Sequence, residues 1–264
     1  MLKDRLTLLI HSCDKFSDLW DAHTELLNRN WADRDIHTML VSDKACEKTL
    51  DRIELYFAGE GAELSDRTKY ALQFIDTEYV LITLDDYFPI YPIDSAKINR
   101  LLDIMDKENL DYIRLFSDPN SHKKWKNYDH LYQISLDTNY QVNLYQGIWR
   151  KSFIEKTIGE TMNAWQYEVS LTRTARQIGA KCVLSKGKEF EILDVVRKGK
   201  LLNKANRYLK KHNLYHGSRE VISRKEEARI YIFNHGKKIL PKWLAMKVKN
   251  YLRKRGHKFY SESI

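Results

Sequence analysis

Through roughly its first 115 residues the chain alternates short apolar runs with helical patterns, and that alternation limits the fold more than any other feature. Leu6 to His11 is a compact apolar run, followed by the polar stretch Ser12-Cys-Asp-Lys-Phe-Ser17 and a helical pattern in Leu19, Trp20, Ala22, His23, Leu26 and Leu27. Strand, polar loop and helix is the simplest reading. Ile36 to Val41 and Ile53 to Phe57 read as further strands, and Ser65 as the cap of a helix carrying Tyr70, Ala71, Phe74 and Ile75. Tyr79 to Leu84 is a β-rich run, and Ile98, Leu101, Leu102 and Met105 mark a helix leading to a strand at Tyr112 to Phe116. Residues 128–148 read as antiparallel strands turning around Asp137-Thr-Asn139, and 163–178 as a helix. Strands and helices that alternate this way form a mostly parallel α/β sheet flanked by helices, Rossmann-like, with its ligand crevice beyond the carboxyl ends of the strands. The polar residues Ser12 to Asp14, Ser42-Asp43 and Asp85-Asp86 then share one rim.

Charge divides the chain in two. The net charge is +9, but residues 197–264 hold 20 Lys/Arg against 4 Asp/Glu, giving +16, and the remainder holds 25 against 32, giving −7. We therefore expect a catalytic domain over residues 1–196 and a basic, mainly helical extension over 197–264. The short N-terminal apolar run is interrupted too early for a signal peptide, and no stretch approaches the ~20 apolar residues of a membrane span. Three widely separated cysteines suggest neither a disulfide framework nor a zinc site. A cytoplasmic protein is expected, with its tail at the inner face of the cell membrane.

Two adjacent carboxylates at the end of an apolar strand, Asp85 and Asp86, repel each other unless a cation shares their space. Magnesium or manganese bridging a diphosphate would meet that need; a solvated turn is the plainer reading of the dipeptide. Four segments taken together, in their order and spacing, go further. They are Leu9-Ile-His-Ser-Cys-Asp-Lys-Phe-Ser-Asp-Leu-Trp20, Tyr79-Val-Leu-Ile-Thr-Leu-Asp-Asp-Tyr-Phe88, Tyr145-Gln-Gly-Ile-Trp-Arg-Lys151 and Asn163-Ala-Trp-Gln-Tyr-Glu168. Over residues 6–200 the chain resembles bacterial glycosyltransferases of the GT-A fold, particularly those of capsule and O-antigen synthesis. In those enzymes a strand ends in a DxD-type motif; here the motif is Leu84-Asp85-Asp86, so the division of roles between its carboxylates stays open.

The resemblance implies a metal-dependent transfer of a sugar from a nucleotide diphosphate donor to a glycan or lipid-linked acceptor, with Mn2+ or Mg2+ at Asp85 and Asp86. It implies that Ser12, Cys13, Asp14 and Phe16 receive base and ribose, with Asp43 as a second contact to the base. Arg67 could reach the diphosphate or form a surface ion pair. Gln146 and Trp149 are implied to line the donor sugar pocket, although Trp149 also suits a core. Trp165 and Tyr167 resemble the aromatic acceptor side of inverting members, and Glu168 the base that takes the acceptor hydroxyl proton. The alternative for Glu168 is a polar position near a helix start. His11 and His130 lack metal-ligand spacing and are expected to be structural. Asp194 lies beside a basic, Gly-containing turn that could contact phosphate.

Leu240, Trp243, Leu244, Val248, Tyr251 and Leu252 recur at helical spacing among lysines and arginines, a pattern suited to an anionic membrane surface or to a helix packed on the protein. No recognised nucleic-acid motif accompanies the charge, so nucleic acid is not the expected partner. The competing readings are a non-catalytic membrane- or nucleic-acid-binding protein acting through its tail, and a nucleotidyltransferase using the same metal–phosphate logic.

Overall fold

The computed structural model describes residues 1–239, with side chains to residue 232. The expected amphipathic helix beyond Leu240 lies outside the described residues. The chain divides into two compact units, Met1–Leu193 and a second beginning at Asp194.

In the first unit, in chain order, the elements are β1 (Leu6–His11), α1 (Trp20–Asn30), β2 (Thr38–Ser42), β3 (Glu54–Phe57), α2 (Leu64–Ala71), β4 (Tyr79–Leu84), β5 (Tyr87–Pro89), α3 (Ser95–Glu108), β6 (Tyr112–Arg114), β7 (Leu131–Gln133), β8 (Gly147–Arg150), α4 (Lys151–Thr157), α5 (Ala164–Gln177), β9 (Cys182–Ser185) and β10 (Ile192–Asp194) at the boundary. Eight strands form one sheet in the order β3-β2-β1-β4-β8-β6-β9-β7. Strands β3, β2, β1 and β4 pair in parallel, and so do β6 and β9; β8 and β7 run against their neighbours. The result is the mostly parallel α/β sheet between helices that the alternation predicts.

Both faces of this sheet are buried, which is why its central strands read as continuous apolar runs. Leu8 and Ile10 of β1, Leu81, Ile113 and Ile148 belong to one core, which includes Trp20 and Leu27 of α1 and Ile98, Leu101 and Met105 of α3. Leu9, Val80, Ile82, Tyr112 and Trp149 project into the other, with Phe153 of α4 and Tyr167 and Leu171 of α5. α3 begins where the Asp94 side chain accepts from the backbone N–H groups of Ala96 and Lys97, at 2.8 and 3.2 Å. It ends at Asn109 in the left-handed conformation, φ 49°.

Two local expectations are corrected. Ser65 is inside α2, whose N-cap is Glu63; its hydroxyl instead accepts from Met162 N–H at 2.7 Å, tying α2 to the segment before α5. Nor do residues 128–148 form a hairpin about Asp137. β7 pairs with β9, while β8 inserts between β4 and β6. Gly147 makes that insertion possible: a Cβ there would lie 2.7 Å from Tyr112 Cε2 and 3.1 Å from the Ile113 carbonyl oxygen.

In the second unit, β11 (Val196–Arg197) and β12 (Lys200–Leu201) form a hairpin around Lys198 and Gly199, both at positive φ. Two helices follow, α6 (Asn203–His212) and α7 (Arg224–Ile239). Asp194 pairs with Arg197, the cation of the turn expected to meet phosphate. The start of α6 is held by Glu227, which accepts from Asn203 N–H at 3.2 Å and from Asn203 Nδ2 at 2.7 Å. No helix among the described residues is long and apolar enough to cross a membrane.

His11 and His23 are both buried in the first unit. Burial, reinforced by the charges of Arg67 and Arg34 respectively, lowers their pKa to about 3 and about 4 from an unfolded value of 6.5. Between these limits the unfolded chain binds protons that the native protein does not. Stability should therefore be full above pH 6.5 and fall as pH drops, by about 1.4 kcal/mol per pH unit for each histidine. Urea unfolding between pH 4.5 and 7.5 measures this slope, and His23→Gln should remove one histidine's share of it.

Candidate active site

Parallel pairing places the ends of β1, β2 and β4 on one edge. The register sets His11 opposite Leu84, so the next residues, Ser12 and Asp85, leave the sheet side by side. Asp85 N–H donates to the His11 carbonyl at 3.1 Å and Ser12 N–H to that of Val41 at 2.9 Å, extending the ladder one step past the strands. Asp85 and Asp86 form the two-residue turn between β4 and β5.

The two carboxylates are not equivalent. Asp85 is 6% exposed and accepts a short hydrogen bond from Ser12 Oγ. Ser12 Oγ in turn accepts from Trp20 Nε1 at 2.6 Å. A relay from indole through hydroxyl to carboxylate thus ties the first turn of α1 to the end of β4, and Trp20, fully buried, belongs to both core and site. Asp86 is more exposed than Asp85.

The neighbouring loops converge on the same place. Asp43 Oδ1 accepts from Asp14 N–H at 2.7 Å and from Ser42 Oγ at 3.3 Å. Although burial works to raise the Asp43 pKa, the backbone N–H groups of Asp14 and Asp43 and the charge of Arg67 hold it below the usual carboxylate range. Burial and the charge of Asp85 push the half-buried Cys13 thiol up, with Arg67 acting against them and Asp43 with them. Ser12, Cys13, Asp14, Asp43, Arg67 and Asp85 are therefore brought together. Arg67 is steadied by donating to the Ala62 carbonyl, and Phe16 is half-buried in the same loop.

α5 carries the second group. Asn163 caps it, its Oδ1 accepting from Gln166 N–H at 3.0 Å while Gln166 Oε1 accepts from Asn163 N–H at 3.1 Å. Glu168 Oε1 accepts from Leu144 N–H at 3.3 Å, which directs the carboxylate at the segment entering β8. Trp165 is 61% exposed, whereas Tyr167 is buried with its hydroxyl 2.6 Å from Thr157 Oγ1. Gln146 is buried beside the end of β4 and donates from Nε2 to the Phe190 carbonyl at 3.0 Å. Trp149 lies in the core, stacked on Phe153 at 5.6 Å and tilted against Tyr112 at 4.3 Å.

Other residues shape this rim without having been singled out in the sequence. Arg114, fully buried, donates to the carbonyls of Phe116 at 2.8 Å, Gln141 at 2.7 Å and Pro119, fastening two loops that leave the strand ends. A charge inside the apolar run Tyr112 to Phe116 was the available signal. Tyr145, just before β8, stacks between Tyr87 of β5, at 5.6 Å, and Phe116, just after β6, at 4.2 Å, so aromatic rings join three segments at this rim.

No protein-family model matches the chain, and no curated protein matches it. Solved structures match it in fold. One is residues 1–349 of S. aureus TarS in complex with UDP-GlcNAc, at 15% identity and a TM-score of 0.51 over 75% of this chain and 60% of that one. Another is the mannosyltransferase PcManGT from Pyrobaculum calidifontis in complex with GDP-Man and Mn2+, at 11% identity and a TM-score of 0.50 over 74% and 58%. This chain thus spans less than two thirds of either structure, and the likeness is one of fold.

Replacing Ser12 by Ala should cost roughly 1–3 kcal/mol, because it removes a donor from a buried carboxylate and the acceptor of a buried indole together. Trp20→Phe, which removes only the indole N–H, is expected to cost less than Ser12→Ala at the hydrogen-bond level but to add a packing loss. Ser12→Thr, which keeps the hydroxyl, should recover most of the Ser12→Ala deficit in chemical denaturation.

Proposed function

We propose that this protein is a nucleotide-sugar-dependent glycosyltransferase acting on a glycan or lipid-linked acceptor, with inversion. The observation that carries the proposal is the Asp85-Asp86 turn at the end of a central parallel strand, held by Ser12 and surrounded by Cys13, Asp14, Asp43 and Arg67. A fold shared with structures that hold UDP-GlcNAc, or GDP-Man and Mn2+, supports it.

The donor set suits a hard divalent cation in part. No group of three or more His, Cys, Asp and Glu side chains that could hold a metal is found among the described residues. The protein would thus offer Asp85 and Asp86, the other positions falling to diphosphate oxygens and water, which is how Mg2+ and Mn2+ are commonly held at phosphates. When bound, the cation would supply charge neutralisation for the departing diphosphate. The loop from Ser12 to Phe16, with Asp43, would take base and ribose, and Arg67 would face the diphosphate.

Glu168, oriented by Leu144 N–H, would remove the acceptor hydroxyl proton as that oxygen attacks the anomeric carbon; the bond to the diphosphate breaks and its electron pair leaves with the phosphate. The exposed ring of Trp165 offers an apolar face to the acceptor sugar, while Tyr167 and Trp149 act from behind as packing. The basic C-terminal region would hold the enzyme at an anionic membrane surface, where a lipid-linked acceptor is presented, on the cytoplasmic side and in surface polysaccharide synthesis.

Thermal unfolding in the presence of nucleoside diphosphates and Mn2+ tests the reading. At a concentration 100-fold above Kd, one of them should stabilise the protein by about 2.7 kcal/mol, and Asp86→Ala should abolish the response. A wild type that no nucleoside diphosphate stabilises, or an Asp86→Ala variant that responds equally, would remove the proposal.

A further inference from the structure

At the edge of the first unit's sheet opposite the candidate active site lies a cavity of about 460 Å3, bordered by the segments that enter β2 and β3. Its lining includes Arg34, His37 and Arg52 together with Asp35 and Glu54. Arg34 is 3% exposed, and a guanidinium withdrawn from water that far is costly without an opposite charge or a full set of acceptors. It has neither. Nη2 donates to Asn28 Oδ1 at 2.7 Å and to the Arg52 carbonyl at 3.3 Å, but the buried Nη1 has no hydrogen-bond partner among the described residues.

Arg52 adds a second positive charge. Its guanidinium donates to the carbonyls of Ala32, at 3.1 Å, and Arg34, so each arginine fastens the other's backbone and like charges lie close together. Its backbone has φ 59°, a left-handed conformation that suits glycine and disfavours a long side chain. None of the ion pairs among the described residues includes Arg34 or Arg52. The carboxylates nearby act on Arg34 only at longer range: Asp51, whose charge favours the guanidinium, accepts from Asn28 Nδ2 at 3.0 Å, Glu54 accepts from the Tyr56 hydroxyl at 2.8 Å beside His37, and Asp35 is exposed at the lip.

We propose that this cavity binds a small oxyanion of the phosphate class, in contact with the exposed Arg52 guanidinium and above the buried charge of Arg34. An anion there relieves the mutual repulsion of Arg34 and Arg52 beside the unfilled Arg34 Nη1 donor, and guanidinium is well matched to phosphate oxygens. The volume exceeds that of a bare phosphate and leaves room for a small organic group on a phosphomonoester. The cavity precedes β2 and β3, while Ser12, Asp43 and Asp85 follow β1, β2 and β4. The two sites therefore occupy opposite ends of parallel strands, and this one is independent of the sugar-transfer reading.

Thermal unfolding of the full chain, with inorganic phosphate or glucose 6-phosphate against sodium chloride at matched ionic strength, tests the site. Phosphate should stabilise the wild type and Asp86→Ala alike. Arg52→Gly, which removes a guanidinium from a backbone that suits glycine, should retain the fold and weaken the apparent phosphate affinity at least tenfold. Arg34→Met should do the same where it folds. Tighter binding of glucose 6-phosphate marks a phosphomonoester site and equal binding a site for free phosphate, and either supports the proposal. A phosphate effect no larger than that of chloride, an Arg52→Gly response equal to wild type, or a response lost in Asp86→Ala and kept in Arg52→Gly would overturn it.

Discussion

Six consecutive parallel pairs between β1 and β4 determine what happens at the end of the sheet. Because the register runs to His11 and Leu84, the residues that follow must separate or satisfy each other, and Ser12 does the latter by donating to Asp85. A carboxylate 6% exposed would be destabilising without donors. The Ser12 hydroxyl supplies one and spends its own acceptor capacity on Trp20, so the charge at the rim is connected to the fully buried helix layer beneath. Loosening any of the three shifts the other two. The position of this carboxylate is thereby coupled to a hydroxyl and an indole that are themselves held by the fold.

The rest of the rim depends on a different device. β8 enters the sheet against the direction of β4 and β6, and it can do so only because Gly147 leaves room for the ring of Tyr112. This antiparallel insertion carries the segment 141–146 across the edge where the parallel strands end. Arg114 then donates to the carbonyl of Gln141, and Thr172 on α5 accepts from the N–H groups of Gln141 and Val142 at 3.0 Å each. The loop is held from the sheet and from a helix at once. Glu168, one turn earlier on α5, reaches Leu144 N–H from the same helix, so its position follows from contacts that are mainly structural.

Local pattern explains which parts were legible beforehand. β1 and β4 fall on the residues read as apolar runs, since a strand buried on both faces has no polar interruption to blur its ends. The gathering of Ser12, Asp14, Asp43 and Asp85 followed from topology, because residues that succeed parallel strands share an edge. Pairing partners were not legible. A run such as Gly147–Arg150 carries no mark of whether it will close a hairpin with its predecessor or insert between distant strands, and the clash that demands glycine involves Tyr112, which is remote in sequence. The role of Arg114 was not legible either, because its three acceptors are loop carbonyls. Trp165 and Tyr167, grouped by proximity, lie about 200° apart around a helix, so one reaches solvent and the other the core.

The asymmetry between Asp85 and Asp86 bears on the role that the motif alone left open. Asp85 is buried and already receives a hydrogen bond, so its negative charge is fixed in place and partly satisfied. Asp86 occupies the outer position of the same turn and is the more accessible to anything arriving from solvent. Under the proposed function, a cation carried in with a diphosphate meets Asp86 first, while Asp85 supplies field and orientation from below. Such a division needs no second exposed carboxylate. Two adjacent aspartates can thus take unequal parts: the outer and the inner carboxylate are distinguished by the burial of one of them, and here Ser12 and Trp20 hold that buried one from the neighbouring strand and helix.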